Sequence, residues 1–407
     1  MVVERLPYPT KRIKEGKTKI IIPDPDAYRR KDGVYEPAWA PVFYNPRMRF
    51  NRDLAVLFAN VYRELAGLER LIVVEPLTGS GVRAIRYAVE AGARVYAADI
   101  DPDAVHLARI NVENNGVLDS VTVEHADANE YLARLKREGI RPSIVDIDPF
   151  GSPIPFIDTA IQSISVRGVL AVTATDTAPL SGTHPRALRR RYDVKPARTA
   201  WEKEQAVRIL AGYIIRRAAS HDYGTRILLA YYADYYVRIY AEIRRGASRA
   251  DESLSMLGYG VYCPYCGYTG YTDTLSHQCP YCCGSLQAVG PLYRGPLCDP
   301  ELVKRMRRLA EEKSTMLSEH RRITRLLEQL EAECSITKPY YRLDKLCSIL
   351  HMNMPKLAQV VNALRIRGYK AARTHFDPRG FKTDAPHPEA VNTLIELQTR
   401  LDRGYSH

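Results

Sequence analysis

At 407 residues the chain is too long for one ordinary core, so two or three domains are expected, and its composition is that of a globular protein. Lys and Arg number 59 against 47 Asp and Glu, a formal net charge of +12 that favours a polyanionic partner or a membrane surface. No stretch has the length and apolarity of a membrane span, and Met-Val-Val-Glu-Arg-Leu-Pro at the start lacks the layout of a signal peptide, so a soluble, cytoplasmic protein with no membrane association is expected.

Residues 1–50 are rich in Pro, Tyr and charge, and their one short apolar run, 19–23, is predicted as an edge strand. An aromatic loop dense in arginine, residues 41–53, leads into a helical pattern over 54–65; it either caps that helix or serves as a lid over a crevice. From residue 71 strands and helices alternate, with strands at 71–75, 95–99, 120–125 and 143–147 and helices at 82–91, 103–114 and up to 137. A helix over 155–165, an apolar strand over 168–175, a loop over 176–185, a basic stretch over 186–198 and a helix over 201–220 follow. A strand-like run at 227–230 and a tyrosine-rich tail complete a first domain, residues 1–246. This alternation predicts an α/β fold with a doubly wound, Rossmann-like, mostly parallel sheet. Residues 246–258 read as a linker into a cysteine segment, residues 247–300. The last domain, 301–407, begins with a long amphipathic helix over 301–332. Two helical patterns, 343–350 and 355–367, and a basic ribbon over 369–383 then give an α+β winged-helix-like pattern, which contacts nucleic acid in many proteins and serves as plain packing in others.

The chemistry gathers at the carboxyl ends of the strands, where open α/β sheets bind ligands. The fourth strand ends in Asp148-Pro149-Phe150-Gly151-Ser152-Pro153, an acid followed at once by a Pro-fixed aromatic. A hydrogen-bond acceptor beside a flat stacking surface suits a planar, NH-bearing substrate such as a nucleobase. Asp-Pro alone is also a common helix-capping turn, so its neighbours decide. The turn Thr78-Gly79-Ser80-Gly81-Val82-Arg83 lies between the first strand and its helix, where backbone N–H groups meet a ligand. Glu75 beside that turn repels a pyrophosphate but receives the ammonium of an amino-acid-bearing cofactor. Asp99 ends the second strand in position for ribose hydroxyls, and Asp127-Ala128 follow the third in position for an adenine amine. Four acids closing four successive strands fit S-adenosylmethionine better than NAD; the competing reading makes them loop acids capping helices.

Five of the eight cysteines fall between Cys263 and Cys283, while Cys298, Cys334 and Cys347 stand alone. Cys263-Pro-Tyr-Cys266 and Cys279-Pro-Tyr-Cys282 are two C-P-Y-C knuckles, which supply four thiolates for a structural, tetrahedral Zn2+. Cys283 and His277 are substitute ligands, and a redox pair is the alternative.

With these residues in view the chain resembles the tRNA (guanine26-N2) dimethyltransferases, enzymes of the class I methyltransferase fold. The likeness runs through residues 42–53, the turn at 78–83, Asp99-Ile100, Asp127-Ala128-Asn129, the 148–153 run, Thr173-Ala174-Thr175-Asp176, and the tail motifs at 374–376 and 382–386. It implies methylation of the exocyclic N2 amine of a guanine in tRNA, with tRNA as partner and no obligate protein partner. It further implies that Arg52, Arg83, Asp99, Asp127 and Ala128 hold S-adenosyl-L-methionine, and that Asp148, Phe150 and Phe43 hold and activate the guanine. Whether Arg49 or Arg52 meets the methionine carboxylate stays open, and the resemblance does not supply the metal. An amino-methyltransferase acting on adenine or guanine of DNA or rRNA, and a non-catalytic zinc-bearing RNA-binding protein, are the rivals.

Overall fold

The structure is a computed structural model that describes residues 6–275 and 277–404; the start of the signal-peptide expectation, Met1–Arg5, lies outside the described residues. The chain forms two compact units. The first takes residues up to Pro149, then Pro155–Ala171 and Lys304–Arg325; the second takes Phe150–Ile154, Val172–Val303 and everything from Leu326 onward.

The first unit opens with a hairpin, β1 (Thr10–Glu15) and β2 (Thr18–Pro23), and the helix α1 (Arg49–Leu65). Alternating strands and helices follow: β3 (Leu71–Glu75), α2 (Val82–Ala91), β4 (Ala93–Asp99), α3 (Pro102–Asn114), β5 (Val121–His125), α4 (Ala128–Arg137), β6 (Ile144–Ile147) and α5 (Ile154–Ser163). Local chemistry sets the ends of these helices. Gly81 and Gly92, both in the left-handed region, bracket α2, and Asp101 with Pro102 starts α3 by accepting the Asp103 N–H at 2.9 Å. β3 pairs in parallel with β4 and β6, and β4 with β5, so the order β5-β4-β3-β6 sets four carboxyl ends side by side. The central strands β3 and β6 are buried almost throughout, as the largely apolar Leu-Ile-Val-Val and Ile-Val-Asp-Ile require, while β4 and the edge strand β5 alternate buried and half-buried residues.

The seven-strand order runs on through β7 (Val169–Ala174) to β9 (Tyr236–Arg245) and β8 (Tyr223–Ala233), the last two antiparallel. The sheet is therefore mixed, a parallel Rossmann-like body with an antiparallel edge. Between β7 and β8 lie α6 (Thr177–Leu180), α7 (Pro185–Tyr192) and α8 (Glu202–Ala219). The stretch expected as a linker is instead helical, α9 (Ala247–Ser255), with Ser253 Oγ accepting the Thr225 N–H at 2.8 Å. The cysteine segment is a three-stranded sheet of β10 (Leu257–Tyr262), β11 (Thr269–Thr272) and β12 (Gln287–Tyr293) in the order β11-β10-β12.

The long helix expected over 301–332 is broken into α10 (Pro300–Glu312) and α11 (His320–Glu333). Between them Ser314–Met316 make a 3-10 turn and Leu317 is extended and buried, because Ser and Thr favour turns over helix interiors and the apolar Leu317 turns inward. Cys298 and Cys334, which stand apart from the cysteine cluster in the sequence, are joined in a disulfide with Cα atoms 5.5 Å apart; pairing across 36 residues is set by the path of the chain and not by spacing.

The last part of the chain holds β13 (Tyr341–Arg342), α12 (Leu343–Ile349), α13 (Leu357–Ile366), β14 (Ala371–Arg373), β15 (Gly380–Thr383) and α14 (His387–Gly404). Its three strands pair antiparallel in the order β13-β15-β14 over a core of Leu343, Leu346, Val360, Leu364, Phe381 and Leu394, the winged-helix-like arrangement expected. Buried charge ties it to α8: Lys382 Nζ donates to Glu204 at 2.8 Å, and Glu204 also takes Arg208 at 2.7 Å and the Tyr340 N–H at 3.0 Å. Glu333 accepts from Thr374 at 2.6 Å and pairs with His375. Among the described residues no helix is long and apolar enough to cross a membrane.

Candidate active site

The acids singled out by sequence lie at the carboxyl ends of the four parallel strands of the first unit: Glu75 and Asp99 are the last residues of β3 and β4, and Asp127 and Asp148 follow β5 and β6. Glu75 is the last residue of β3 and is buried beside the guanidinium of Arg83, Nε to Oε1 3.2 Å, with Thr78 Oγ1 donating to its other oxygen at 2.8 Å. Burial raises the Glu75 carboxyl to about 8 against the pull of Arg83. Asp99 ends β4, and its two oxygens accept the backbone N–H groups of Gly79 at 2.8 Å and Asp101 at 3.1 Å. Its carboxyl too is pushed up, chiefly by burial.

The turn over residues 78–81 packs tightly enough to need its glycines. Gly79 has φ +52°, and a Cβ there would sit 3.2 Å from the carbonyl oxygen of Phe43. This close approach brings the aromatic-arginine loop against the turn. In the loop Val42 and Tyr44 are buried, Val42 against Ala104 and Leu107, so the intervening Phe43 points outward and is 42% exposed.

Asp127 is exposed and caps α4, its Oδ1 accepting the N–H groups of Asn129 at 2.9 Å and Glu130 at 3.1 Å; Ala128 behind it is buried. The helix-capping reading therefore holds for Asp127, while its second oxygen takes no part in the cap.

Asp148 follows β6 with its side chain 16% exposed, and its carboxylate is paired with Arg83 Nη2. Arg83 is the hub. From the first turn of α2 its guanidinium also takes Asn51 Oδ1 at 2.8 Å and stands 3.6 Å from the buried Asp146, which accepts from Tyr87 at 2.6 Å. Asn51 is fully buried and its Nδ2 donor has no partner among the described residues, an orphaned N–H beside the Arg83–Asp148 pair. Sequence reasoning passed over both Asn51 and Asp146; Asn51 lies in the arginine loop, and Asp146 two residues before Asp148 is a polar intrusion into an apolar strand.

Arg52 is buried and held bidentate by Glu15 of β1, Nε to Oε1 2.6 Å and Nη2 to Oε2 2.8 Å, with the Tyr44 ring 5.1 Å away. Arg86, fully buried, meets Glu15 at 3.1 Å, Asp53 at 2.7 Å and Glu90 at 2.8 Å. Burial alone would raise the Glu15 carboxyl, but Arg52, Arg86 and the Tyr44 hydroxyl hold it down at about 2. Arg49 is less committed: it donates to Tyr44 Oη at 3.1 Å, stands 3.6 Å from Glu15, and keeps part of its side chain in solvent.

Phe150 belongs to the second unit and is 80% exposed at the tip of its loop. The loop itself is pinned: Thr175 Oγ1 accepts the Gly151 N–H at 2.8 Å, the Gly151 carbonyl accepts the Thr175 N–H at 3.0 Å, and Ser152 Oγ lies 3.4 Å from the Tyr192 hydroxyl.

Elsewhere in the second unit the sulfurs of Cys263, Cys266, Cys279 and Cys282 converge within 4.8 Å of one another, a donor set fit for one metal ion. The knuckle turns aim backbone N–H groups at them, Tyr265 and Cys266 toward Cys263 and Gly284 toward Cys282. Cys283 and His277 are outside the group.

Known proteins resemble this chain along most of its length. The chain is 40% identical over 372 residues to the tRNA (guanine(26)-N(2))-dimethyltransferase of Metallosphaera sedula, covering 91% of this chain and 92% of that one. It is 40% identical over 392 residues to the enzyme of the same name from Aeropyrum pernix, covering 94% and 96%. Trm1 from Pyrococcus horikoshii, solved in complex with S-adenosyl-L-methionine, superposes with a TM-score of 0.81 at 36% identity over 94% of this chain and 99% of that one. The family pattern of N2,N2-dimethylguanosine tRNA methyltransferases matches residues 16–395, and the chain belongs to that family.

Proposed function

We propose that the protein transfers methyl groups from S-adenosyl-L-methionine to the exocyclic N2 amine of a guanine in tRNA, the guanine at position 26, first once and then twice. The observation that carries this reading is the row of acids at the carboxyl ends of the strands, with Glu75 and a partly exposed Asp148 sharing Arg83, in a chain whose relatives bear that name. S-adenosyl-L-methionine supplies an electrophilic methyl on a sulfonium. In our reading Glu75 takes its ammonium, and Arg49 or Arg52 its carboxylate. Asp99 takes the ribose hydroxyls, and Asp127 with Ala128 faces the adenine. An arriving ammonium draws down the raised Glu75 carboxyl, and the orphaned Asn51 Nδ2 gains an acceptor.

The guanine amine is a poor nucleophile because its lone pair is delocalised into the ring. Asp148 accepts hydrogen bonds from the amine and from N1–H, placing electron density on the nitrogen and taking up the positive charge that grows during attack. Arg83 keeps the Asp148 side chain in one orientation, and Phe43 and Phe150 offer aromatic faces for the base. A guanine inside folded RNA must first leave its stack, which costs a few kcal/mol that contacts elsewhere offset. The basic stretch 186–198 and residues 301–407, with their winged-helix-like part, are the candidates for such contacts. Zn2+ on Cys263, Cys266, Cys279 and Cys282 is structural in this reading, since four thiolates leave no open position; residues 247–300 form its segment. In this reading a protein that acts on tRNA works in the cytoplasm. The test is mass spectrometry of nucleosides from an unmodified tRNA incubated with protein and S-adenosyl-L-methionine: dimethylguanosine supports the reading, and methylation confined to adenine, or none, overturns it.

A further inference from the structure

The short helix α7 has two faces of opposite character. Leu188 and Tyr192, one turn apart, are fully buried, while Arg186, Arg189 and Arg190 share the outward face at i, i+3 and i+4 spacing and are exposed. Among the described residues these three arginines pair with no carboxylate, unlike Arg191, which meets Asp176 at 3.1 Å. Lys195 and Arg198, also exposed, extend the patch. Like charges crowded on one helical face repel each other, and a polyanion placed against this surface relieves that repulsion.

The buried face leads to the substrate loop. The Tyr192 hydroxyl donates to the Asp176 carboxylate, 2.9 and 3.0 Å from its two oxygens, and receives Ser152 Oγ at 3.4 Å. Ser152 is two residues from Phe150, and Asp176 follows Thr175, whose hydroxyl and N–H fix Gly151. The far end of α7 is held as firmly: Arg216 of α8 donates to the Tyr192 and Asp193 carbonyls at 2.5 and 3.0 Å, a cation on the helix C-terminus. One rigid piece thus carries three unpaired cations on its outer side and the hydrogen bonds of the Phe150 loop on its inner side.

We propose that α7 grips the RNA sugar-phosphate backbone through Arg186, Arg189 and Arg190, and that Tyr192 and Asp176 are positioning residues that set the Phe150 loop in register with that grip. The inference rests on the reading that the chain methylates a guanine of tRNA. An RNA strand held by α7 delivers the extruded base to a loop that α7 itself orients, so docking and base placement share one element.

The test uses the full-length protein and unmodified tRNA. The triple variant Arg186→Ala, Arg189→Ala, Arg190→Ala is expected to bind tRNA at least about ten-fold more weakly, with the slope of log affinity against log salt reduced by about two to three, while S-adenosyl-L-methionine binding by calorimetry stays as in the native protein. Tyr192→Phe keeps the buried ring and removes the hydroxyl; it is expected to leave tRNA affinity unchanged and to lower kcat at saturating tRNA about ten-fold, through misorientation alone. Ser152→Ala, at the loop side of the same contact, should lower kcat in the same way and guards against a folding defect in the first variant. Native tRNA affinity and salt slope in the triple variant, or native kcat in both Tyr192→Phe and Ser152→Ala, overturns the inference. If the native protein itself methylates no guanine, it is the functional reading that fails, and the first measurement of the series shows it.

Discussion

Replacing Glu15 by Gln removes one buried negative charge from between Arg52 and Arg86 and keeps the shape of the side chain. The Glu15 carboxyl lies at about 2 in the folded protein against a free value of 4.5. At about 1.4 kcal/mol per pH unit, that gap is worth about 3 kcal/mol of stability at neutral pH. An independent route gives a similar size, since removing one partner of a buried ion pair costs about 3–5 kcal/mol. The sign follows from the direction: the folded carboxyl stays ionised at lower pH than the unfolded one, so its contribution is full above pH 4.5 and disappears as the pH falls toward 2. The stability difference between native protein and Glu15→Gln should therefore be about 3 kcal/mol at pH 7 and shrink steadily between pH 4.5 and 2. Urea unfolding followed by far-ultraviolet circular dichroism at pH 7, 4 and 3 measures it, and amide exchange in the β1–β2 hairpin and α1 locates the opening. A difference below about 1 kcal/mol at pH 7, or one that does not change with pH, would refute the reasoning.

Asp148→Ala should reduce methyl transfer by about a hundred-fold or more while S-adenosyl-L-methionine binding, read by calorimetry, survives; robust turnover by this variant sinks the assigned role. Arg49→Ala should weaken S-adenosyl-L-methionine binding with little change in melting temperature, whereas Arg52→Ala should lower melting temperature by several degrees, because only Arg52 is buried against Glu15. If Arg49→Ala binds the cofactor normally and a stabilised Arg52→Ala does not, the carboxylate belongs to Arg52. Metal analysis of protein purified without added zinc should find about one Zn2+ per chain, lost in Cys279→Ser together with cooperative melting; metal-free protein with native melting excludes the zinc reading. Reducing the Cys298–Cys334 disulfide, or Cys298→Ser, releases a loop of 36 residues and should destabilise by at most about 4 kcal/mol; a melting temperature indifferent to reductant contradicts it.

What sequence reveals here divides along physical lines. The parallel part of the sheet was legible because its central strands are largely apolar runs followed closely by Pro or Asp: the expected spans 71–75 and 82–91 coincide with β3 and α2. The strand β9 was not, since Tyr236-Val-Arg-Ile-Tyr-Ala-Glu-Ile-Arg-Arg carries Arg238 and Glu242, and only the fold buries them, Arg238 by giving its guanidinium to Thr173 Oγ1 at 2.9 Å. α9 escaped for the opposite reason, because a short polar run flanked by glycines has the composition of a linker until Ser253 finds the β8 backbone.

The same division runs through the site. Strand-end acids can be read from a one-dimensional pattern, because the carboxyl end of a parallel strand is a place the topology fixes. Their partners cannot. Glu15 lies 37 residues before Arg52 and 71 before Arg86, in a hairpin that looks like an incidental edge, yet it orders two of the guanidiniums of this unit. Arg83 was visible as the residue closing a glycine turn, but its convergence on Glu75, Asp146 and Asp148 depends on three strand ends lying next to one another. That convergence bears on the chemistry. In the proposed reaction a carboxylate that accepts from a weakly nucleophilic amine gains nothing from being free to rotate, and one guanidinium shared among three acids holds Asp148 still while leaving part of it exposed. Shortening that arm by Arg83→Lys, with a point charge in place of a planar fork, should therefore cost turnover more than it costs cofactor affinity, which a kcat measured at saturating S-adenosyl-L-methionine against a calorimetric Kd will separate; equal losses in both would mean that Arg83 serves the cofactor and not the base.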